Sequence, residues 1–223
     1  MVGSDGGVTV AQGPSDSVCR TLLSLLAKRN LVRHWADRAD PQSDLRSECR
    51  NLAADSVWIA KLKQYLQSNP IIQESLETLL AQLAMAANVR WPDVPAIQQG
   101  LARRGWHIGR WLPTFLLIDG PLGRLLRDAN SPLNDRLRND HSSLPLLANA
   151  RDAFNNGLFR RVRNGFGHWS FFWKDVGQSS EITIINWETG AEEARLSLLE
   201  AEALHFVSYS VIYSLDEEVL RRL

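Results

Sequence analysis

Arg160-Arg161-Val162-Arg163-Asn164-Gly165-Phe166-Gly167-His168-Trp169 closes a long amphipathic stretch, and the reading of this run decides the fold. Before it, Leu147, Ala150, Phe154, Leu158 and Val162 recur at helical spacing, which predicts one helix over 144–168. After it comes the aromatic run Trp169, Phe171, Phe172 and Trp173. The period then changes. Ile182, Thr183, Ile184 and Ile185 predict a strand over 181–187, with a turn at Glu188-Thr189-Gly190 and a return strand over 193–198. A last helix is expected over 199–223.

Upstream, residues 1–13 are small and polar and are expected to be disordered. Pro14 with Ser15 or Ser17 opens a helix reaching about residue 39, with Val18, Leu22, Leu25, Leu26 and Leu31 on its apolar stripe. A second helix carries Leu45, Leu52, Ile59, Leu62 and Leu66 and ends at Ser68-Asn69-Pro70. A third runs to about residue 89. Trp91-Pro92-Asp93-Val94-Pro95 reads as a loop, and 96–140 as short helices broken by Gly100, Gly105, Pro113, Gly120, Pro121 and Pro132. The expected organisation is therefore a disordered 1–13, a helical part over 14–140 with an irregular middle, and 141–223 holding the late helix, hairpin and final helix as one continuous domain. The fold class is mainly all-α.

The 25 basic and 25 acidic side chains cancel, so a nucleic-acid site has to be a local patch. Cys19 and Cys49 belong to no CxxC or Cys/His cluster, which argues against zinc and fits buried free thiols in a reducing cytoplasm. Residues 1–12 lack the basic and apolar regions of a signal peptide, and the apolar runs are too short to span a bilayer. No membrane, metal or cofactor is expected.

Arg163, Asn164 and His168 carry the chemistry. Cleaving RNA through its own 2′-hydroxyl needs a proton acceptor, a proton donor and positive charge on the phosphorane-like transition state. An imidazole moves protons near neutral pH, and a guanidinium stabilises the phosphoryl oxygens. Asn164, one turn before His168, can orient its ring. One arginine and one histidine are thin for both acid and base. A twofold dimer doubles every group near its axis.

A loose Arg-to-His spacing is noise in so arginine-rich a chain; Arg136 to His141 is another match. The strict Arg-Asn-x3-His spacing is expected about 0.02 times from composition, yet it also occurs at Arg29-Asn30-Leu31-Val32-Arg33-His34. There, Lys28, Arg29, Arg33 and His34 read as partners of a helix C-terminus. The same plain reading exists for Arg160, Arg161, Arg163 and His168, with Gly165 or Gly167 as a left-handed stop.

Arg163-Asn164-x3-His168 at the end of a late helix resembles the signature of the HEPN (higher eukaryotes and prokaryotes nucleotide-binding) superfamily. The resemblance covers about 80 residues: the late helix, the motif and the final helix. It implies a small helical bundle, here with an N-terminal helical extension; the hairpin expected over 181–198 departs from that bundle as an insertion before the last helix. It further implies a metal-independent endoribonuclease working as a homodimer, in the manner of toxins, phage-defence effectors or RNA-processing enzymes. The implied partners are an RNA substrate and an antitoxin or defence-system protein. Arg163 and His168 would be catalytic with Asn164 beside them, and Arg160, Arg161 and Trp169 would bind substrate. Some members bind RNA, nucleotide or protein without cleaving, and that alternative stands beside the first.

Other features have plainer readings. Arg103, Arg104, Arg110, Trp106, His107 and Trp111 form a second basic–aromatic cluster that fits arginines packed on tryptophan. Asp216, Glu217 and Glu218 read as a solvated face. His107, His141 and His205 read as structural.

Overall fold

The computed structural model describes residues 16–87, 96–176, 179–186 and 188–223; the expectations for 1–13, for the 91–95 loop and for Trp187 lie outside them. Within them the chain is mostly helical, with a small antiparallel sheet before the last helix.

Several expected helices are divided, each by a local hydrogen bond. Helix α1 (Asp16–Lys28) does not reach residue 39. It ends where Asn30 turns left-handed (φ 59°), and the short α2 (Arg33–Ala36) follows. The second helix is two: α3 (Pro41–Ala54) and α4 (Ser56–Gln67) meet at Asp55, whose carboxylate accepts from the Trp58 N–H at 3.0 Å. A capping carboxylate offers the backbone an alternative to continuing the helix. The late helix is divided the same way into α9 (Pro145–Asn155) and α10 (Gly157–Gly167), because the Asn156 side chain accepts from the Leu158 N–H at 2.9 Å.

The middle shows the reverse error. After α5 (Pro70–Ala87), a single 24-residue helix, α6 (Ala96–Asp119), runs through Gly100, Gly105 and Pro113. Proline in a helix interior forfeits a backbone bond. Here, buried Trp111, Phe115, Leu117 and Ile118 on both sides of Pro113 hold the helix together. Helices α7 (Pro121–Arg127) and α8 (Pro132–Asn139) then open on their prolines.

The sheet has three strands rather than two, ordered β1 (Phe171–Val176), β2 (Ser179–Ile185) and β3 (Glu192–Ser197). Phe171 and Trp173 of the aromatic run pair with Ile184 and Ile182, which pair in turn with Ala194 and Leu196. That alternate set forms the inner face, whereas Phe172 stands on the outer face, 60% exposed. Left-handed Gly190 (φ 67°) closes the β2–β3 turn, as its position in Glu188-Thr189-Gly190 suggested.

Helix α11 (Leu198–Glu218) follows through a capping box formed by Ser197 and Glu200, and a short turn of 3₁₀ helix, Leu220–Arg222, ends the chain. Helix α11 packs on α1, α3, α6, α9 and the sheet, and α10 on α6, α9, β2 and β3. One hydrophobic cluster extends from Leu22 to Val219. Buried Glu48 of α3 accepts from the Leu146 and Leu147 N–H groups at 2.9 Å each, closing the open N-terminus of α9. The acidic run is not a simple solvated face: Asp216 and Glu217 pair with Arg221, and Glu218 with Arg222 and Arg50. Cys49 is buried, and burial pushes its thiol pKa up, whereas Cys19 is half-buried.

Candidate functional site

Helix α10 is held from beneath by aromatic packing. Phe159, Val162 and Phe166 are buried, and the Phe166 ring lies 5.4 Å from Trp111, 5.7 Å from Phe115 and 4.9 Å from Phe171. Trp111 and Trp173 stack nearly parallel at 5.9 Å. These contacts fix which side of α10 faces solvent. Arg160, Arg161, Asn164 and His168 are exposed along it. Arg161, Asn164 and His168 follow at three- and four-residue spacing and share one ridge.

The end of α10 is unusual. His168 is the C-cap, and the next residue, Trp169, is left-handed at φ 56°. Ser170 N–H donates to Gly165 O at 2.8 Å, and Trp169 N–H to Phe166 O at 3.3 Å. This is a Schellman ending, which normally places glycine at the left-handed position. Here a tryptophan occupies it, 60% exposed, with its ring 6.0 Å from Phe171.

Neither glycine of the motif is the left-handed stop. A Cβ on Gly165 would fall 2.6 Å from the Cδ1 and Cγ2 of buried Ile184, so this glycine lets α10 sit on β2. A Cβ on Gly167 would meet nothing within 4 Å.

The sequence pair Arg163 and His168 is not brought together on one face. Five helical positions correspond to about 140° around the axis. Arg163 turns inward, its side chain 11% exposed, and its Nη1 lies 2.5 Å from Asp119 Oδ1 at the end of α6. Burial lowers the Arg163 pKa, assisted by the charges of Arg127 and Arg160 and opposed by Asp119. Its Nε donates to Asn164 Oδ1 at 3.3 Å, so the amide leans toward the arginine rather than toward the imidazole. The Arg161 guanidinium lies back toward Gly157, within 3.8 Å of where a Cβ there would stand. The exposed His168 ring makes no side-chain hydrogen bond among the described residues.

The second Arg-Asn-x3-His match is separated from the first by helix register. Helix α1 ends at the start of that match: Leu31 N–H donates to Leu26 O at 2.9 Å and Asn30 N–H to Ala27 O at 3.0 Å. Asn30 is itself the left-handed residue, a role asparagine fills well. Arg29 reaches Glu200 Oε1 at 2.7 Å and Arg195 O at 3.1 Å, tying α1 to the start of α11. Its role is thus an inter-element tie, beyond the helix-end charge that sequence suggested.

Of the basic–aromatic cluster on α6, the side chains of Arg103, Arg104 and Trp106 lie outside what is described. His107 is buried and its Nδ1 is 2.5 Å from Glu202 Oε1, with Arg110 Nη1 at 3.8 Å from the same oxygen. Burial acts to raise the Glu202 pKa, but the His107 hydrogen bond and the charge of Arg110 more than offset it, and the carboxyl stays ionised. His205, buried beside them, has its pKa pushed down to about 4 by burial first and Arg110 second.

Among the described residues no cluster of histidine, cysteine, aspartate and glutamate could hold a metal, and no helix is long and apolar enough to cross a membrane. Two apolar cavities of about 340 and 420 Å³ share Glu77, Leu80, Asp216 and Arg221 between α5 and α11, and no α10 residue lines either. No family model, no curated protein and no solved structure matches the chain.

The residues that sequence reasoning missed are Asp119 and Arg127, and of Phe172 it missed the outward direction. Asp119 and Arg127 stand at helix ends that the glycine and proline pattern obscured. Phe172 becomes visible only once the aromatic run is read with period two.

Proposed function

We propose that this chain is a metal-independent endoribonuclease of the HEPN kind that works as a homodimer. The observation that carries the reading is the end of α10, where an exposed imidazole without a side-chain partner adjoins an exposed tryptophan held in a left-handed conformation. A non-glycine residue in that region costs about 1–2 kcal/mol, and backbone strain of this kind clusters at functional sites. Trp169 supplies a face for an unpaired base. His168 takes the 2′-hydroxyl proton or protonates the 5′-oxygen. Arg160 and Arg161 bind flanking phosphates. Arg163, held off the His168 ridge, grips the adjoining phosphate and from there lends positive charge to the reacting one, and Asn164 steadies its guanidinium.

On the His168 ridge of a single copy the one cation is Arg161, two turns away with its guanidinium directed back toward Gly157. A twofold axis near the end of α10 brings a second motif to the same phosphodiester. Exposed Trp169 and Phe172 make that end apolar enough for a contact between copies.

The second reading is an RNA-binding domain that does not cleave. It is favoured by the Arg163–Asp119 ion pair, which holds that guanidinium away from the ridge bearing His168. Incubating end-labelled RNA with wild type, His168→Ala and Arg163→Ala decides between them. The nuclease reading expects cleavage by wild type that falls at least a hundredfold in His168→Ala, the range of a lost general acid or base. RNA bound but uncut by wild type selects the second reading.

A further inference from the structure

Where α6, α7 and α10 meet, two guanidiniums flank one carboxylate, and a third arginine stands one helical turn away. Asp119 Oδ1 is 2.5 Å from Arg163 Nη1 and 3.9 Å from Arg127 Nη2. Arg127 Nη2 also donates to Asp119 O at 2.7 Å, and its Nε to Gly123 O at 2.9 Å. Gly123 is what allows this: a Cβ there would collide with Ile118 O and with the Arg127 guanidinium itself. The fold therefore leaves a side chain out to seat this arginine. Arg160 stands one turn before Arg163 on the same helix, exposed, and its charge is felt at Arg163. Among the described residues, Arg127 Nη1 and Arg163 Nη2 have no hydrogen-bond partner, so each fork is oriented through some donors and keeps others for a ligand.

We propose that Arg127, Arg160 and Arg163 form a binding site for a backbone phosphate of single-stranded RNA, with Asp119 as the internal anion that the phosphate displaces. This rests on the preceding reading in taking RNA as the ligand of α10. Two cations on one carboxylate, with a third one turn along α10, retain an excess of positive charge, and planar guanidiniums suit phosphate oxygens. The Asp119 carboxylate holds the forks in place until RNA arrives, then swings toward solvent, to which it is already 42% exposed. The site lies off the His168 ridge, so it grips a phosphate neighbouring the one that is cut.

The test is the salt dependence of binding of a fluorescent single-stranded RNA, 2′-O-methylated so that it stays intact, to the full chain. Each neutralised phosphate contributes about 0.7 to the slope of log affinity against log salt. The site holds one phosphate, so Arg127→Gln and Arg160→Gln are each expected to lower the slope by up to about 0.7, with no further drop beyond that in the double variant, and Asp119→Asn to tighten binding severalfold at low salt. Arg127 also bonds the backbone, so if Arg127→Gln fails to fold, exposed Arg160→Gln and Asp119→Asn decide. A wild-type slope in Arg160→Gln, or no tightening in Asp119→Asn, overturns the site. Cleavage of unmodified RNA, measured alongside, separates the two claims. Lowered slopes without cleavage by wild type sink the nuclease and keep the site. Cleavage with unchanged slopes sinks the site and keeps the nuclease. No RNA binding sinks both.

Discussion

Trp169 occupies a left-handed position that glycine would fill without strain, and its ring is exposed beside His168. Trp169→Gly relieves about 1–2 kcal/mol of backbone strain and loses a Phe171 stacking contact of about 0.5–1.5 kcal/mol. Its melting temperature should therefore stay close to wild type, while RNA affinity should fall roughly five- to a hundredfold, the value of one stacked base. Unchanged affinity in an anisotropy titration would contradict the role given to the ring. The two glycines make a second pair of tests. Gly165→Ala presses on buried Ile184 and should destabilise by about 1–3 kcal/mol in a denaturant melt, as overpacking does. Gly167→Ala enters open space at the last position of α10 and should gain about 0.5–1 kcal/mol. At this scale the motif residues were legible in sequence but their directions were not. Helical periodicity already separates Arg163 from His168 by five positions. It does not reveal that Asp119, 44 positions earlier in the chain, takes the arginine.

The elements were legible wherever side-chain periodicity alone decides and illegible wherever one hydrogen bond does. The α5 start at Pro70 and the β2–β3 hairpin follow from pattern. The breaks at Asp55 and Asn156 arise from single side-chain caps inside otherwise unbroken stripes, and α6 runs past Pro113 because packing on both flanks outweighs the lost backbone bond. Strand β1 was hidden because Phe171, Phe172 and Trp173 are consecutive aromatics, with no polar alternation to mark a strand. Glu48 is the cap with the longest reach, closing α9 from α3. Glu48→Ala leaves two buried N–H groups bare after removing a charged acceptor. It should cost about 2–4 kcal/mol in an equilibrium melt, whereas Glu48→Gln, which can still accept one bond, should cost less.

The molecule as a whole stores a pH response in the layer between α6 and α11. His205, with its pKa near 4 in the folded chain, faces Glu202, Arg110 and His107. The unfolded chain takes up this proton first, near its ordinary value of about 6.5. Stability is therefore full above that pH, declines as pH falls toward about 4, and levels off below it. The loss attributable to His205 is roughly 3 kcal/mol. A His205→Gln variant should flatten the melting-temperature profile across that window, and an unchanged profile would show that the burial of His205 does not drive it. None of this layer was legible beyond the reading of His107 and His205 as structural, because Glu202 joins them only through the packing of α11 on α6.

Under the proposed function, the end of α10 cuts RNA with protein groups alone. The most direct measurement is the chemistry of the new RNA ends after incubation in excess EDTA. Wild type should leave 2′,3′-cyclic phosphate and 5′-hydroxyl termini, and His168→Ala neither. Intact RNA with wild type, or the same termini at the same rate from His168→Ala, would contradict the proposed function.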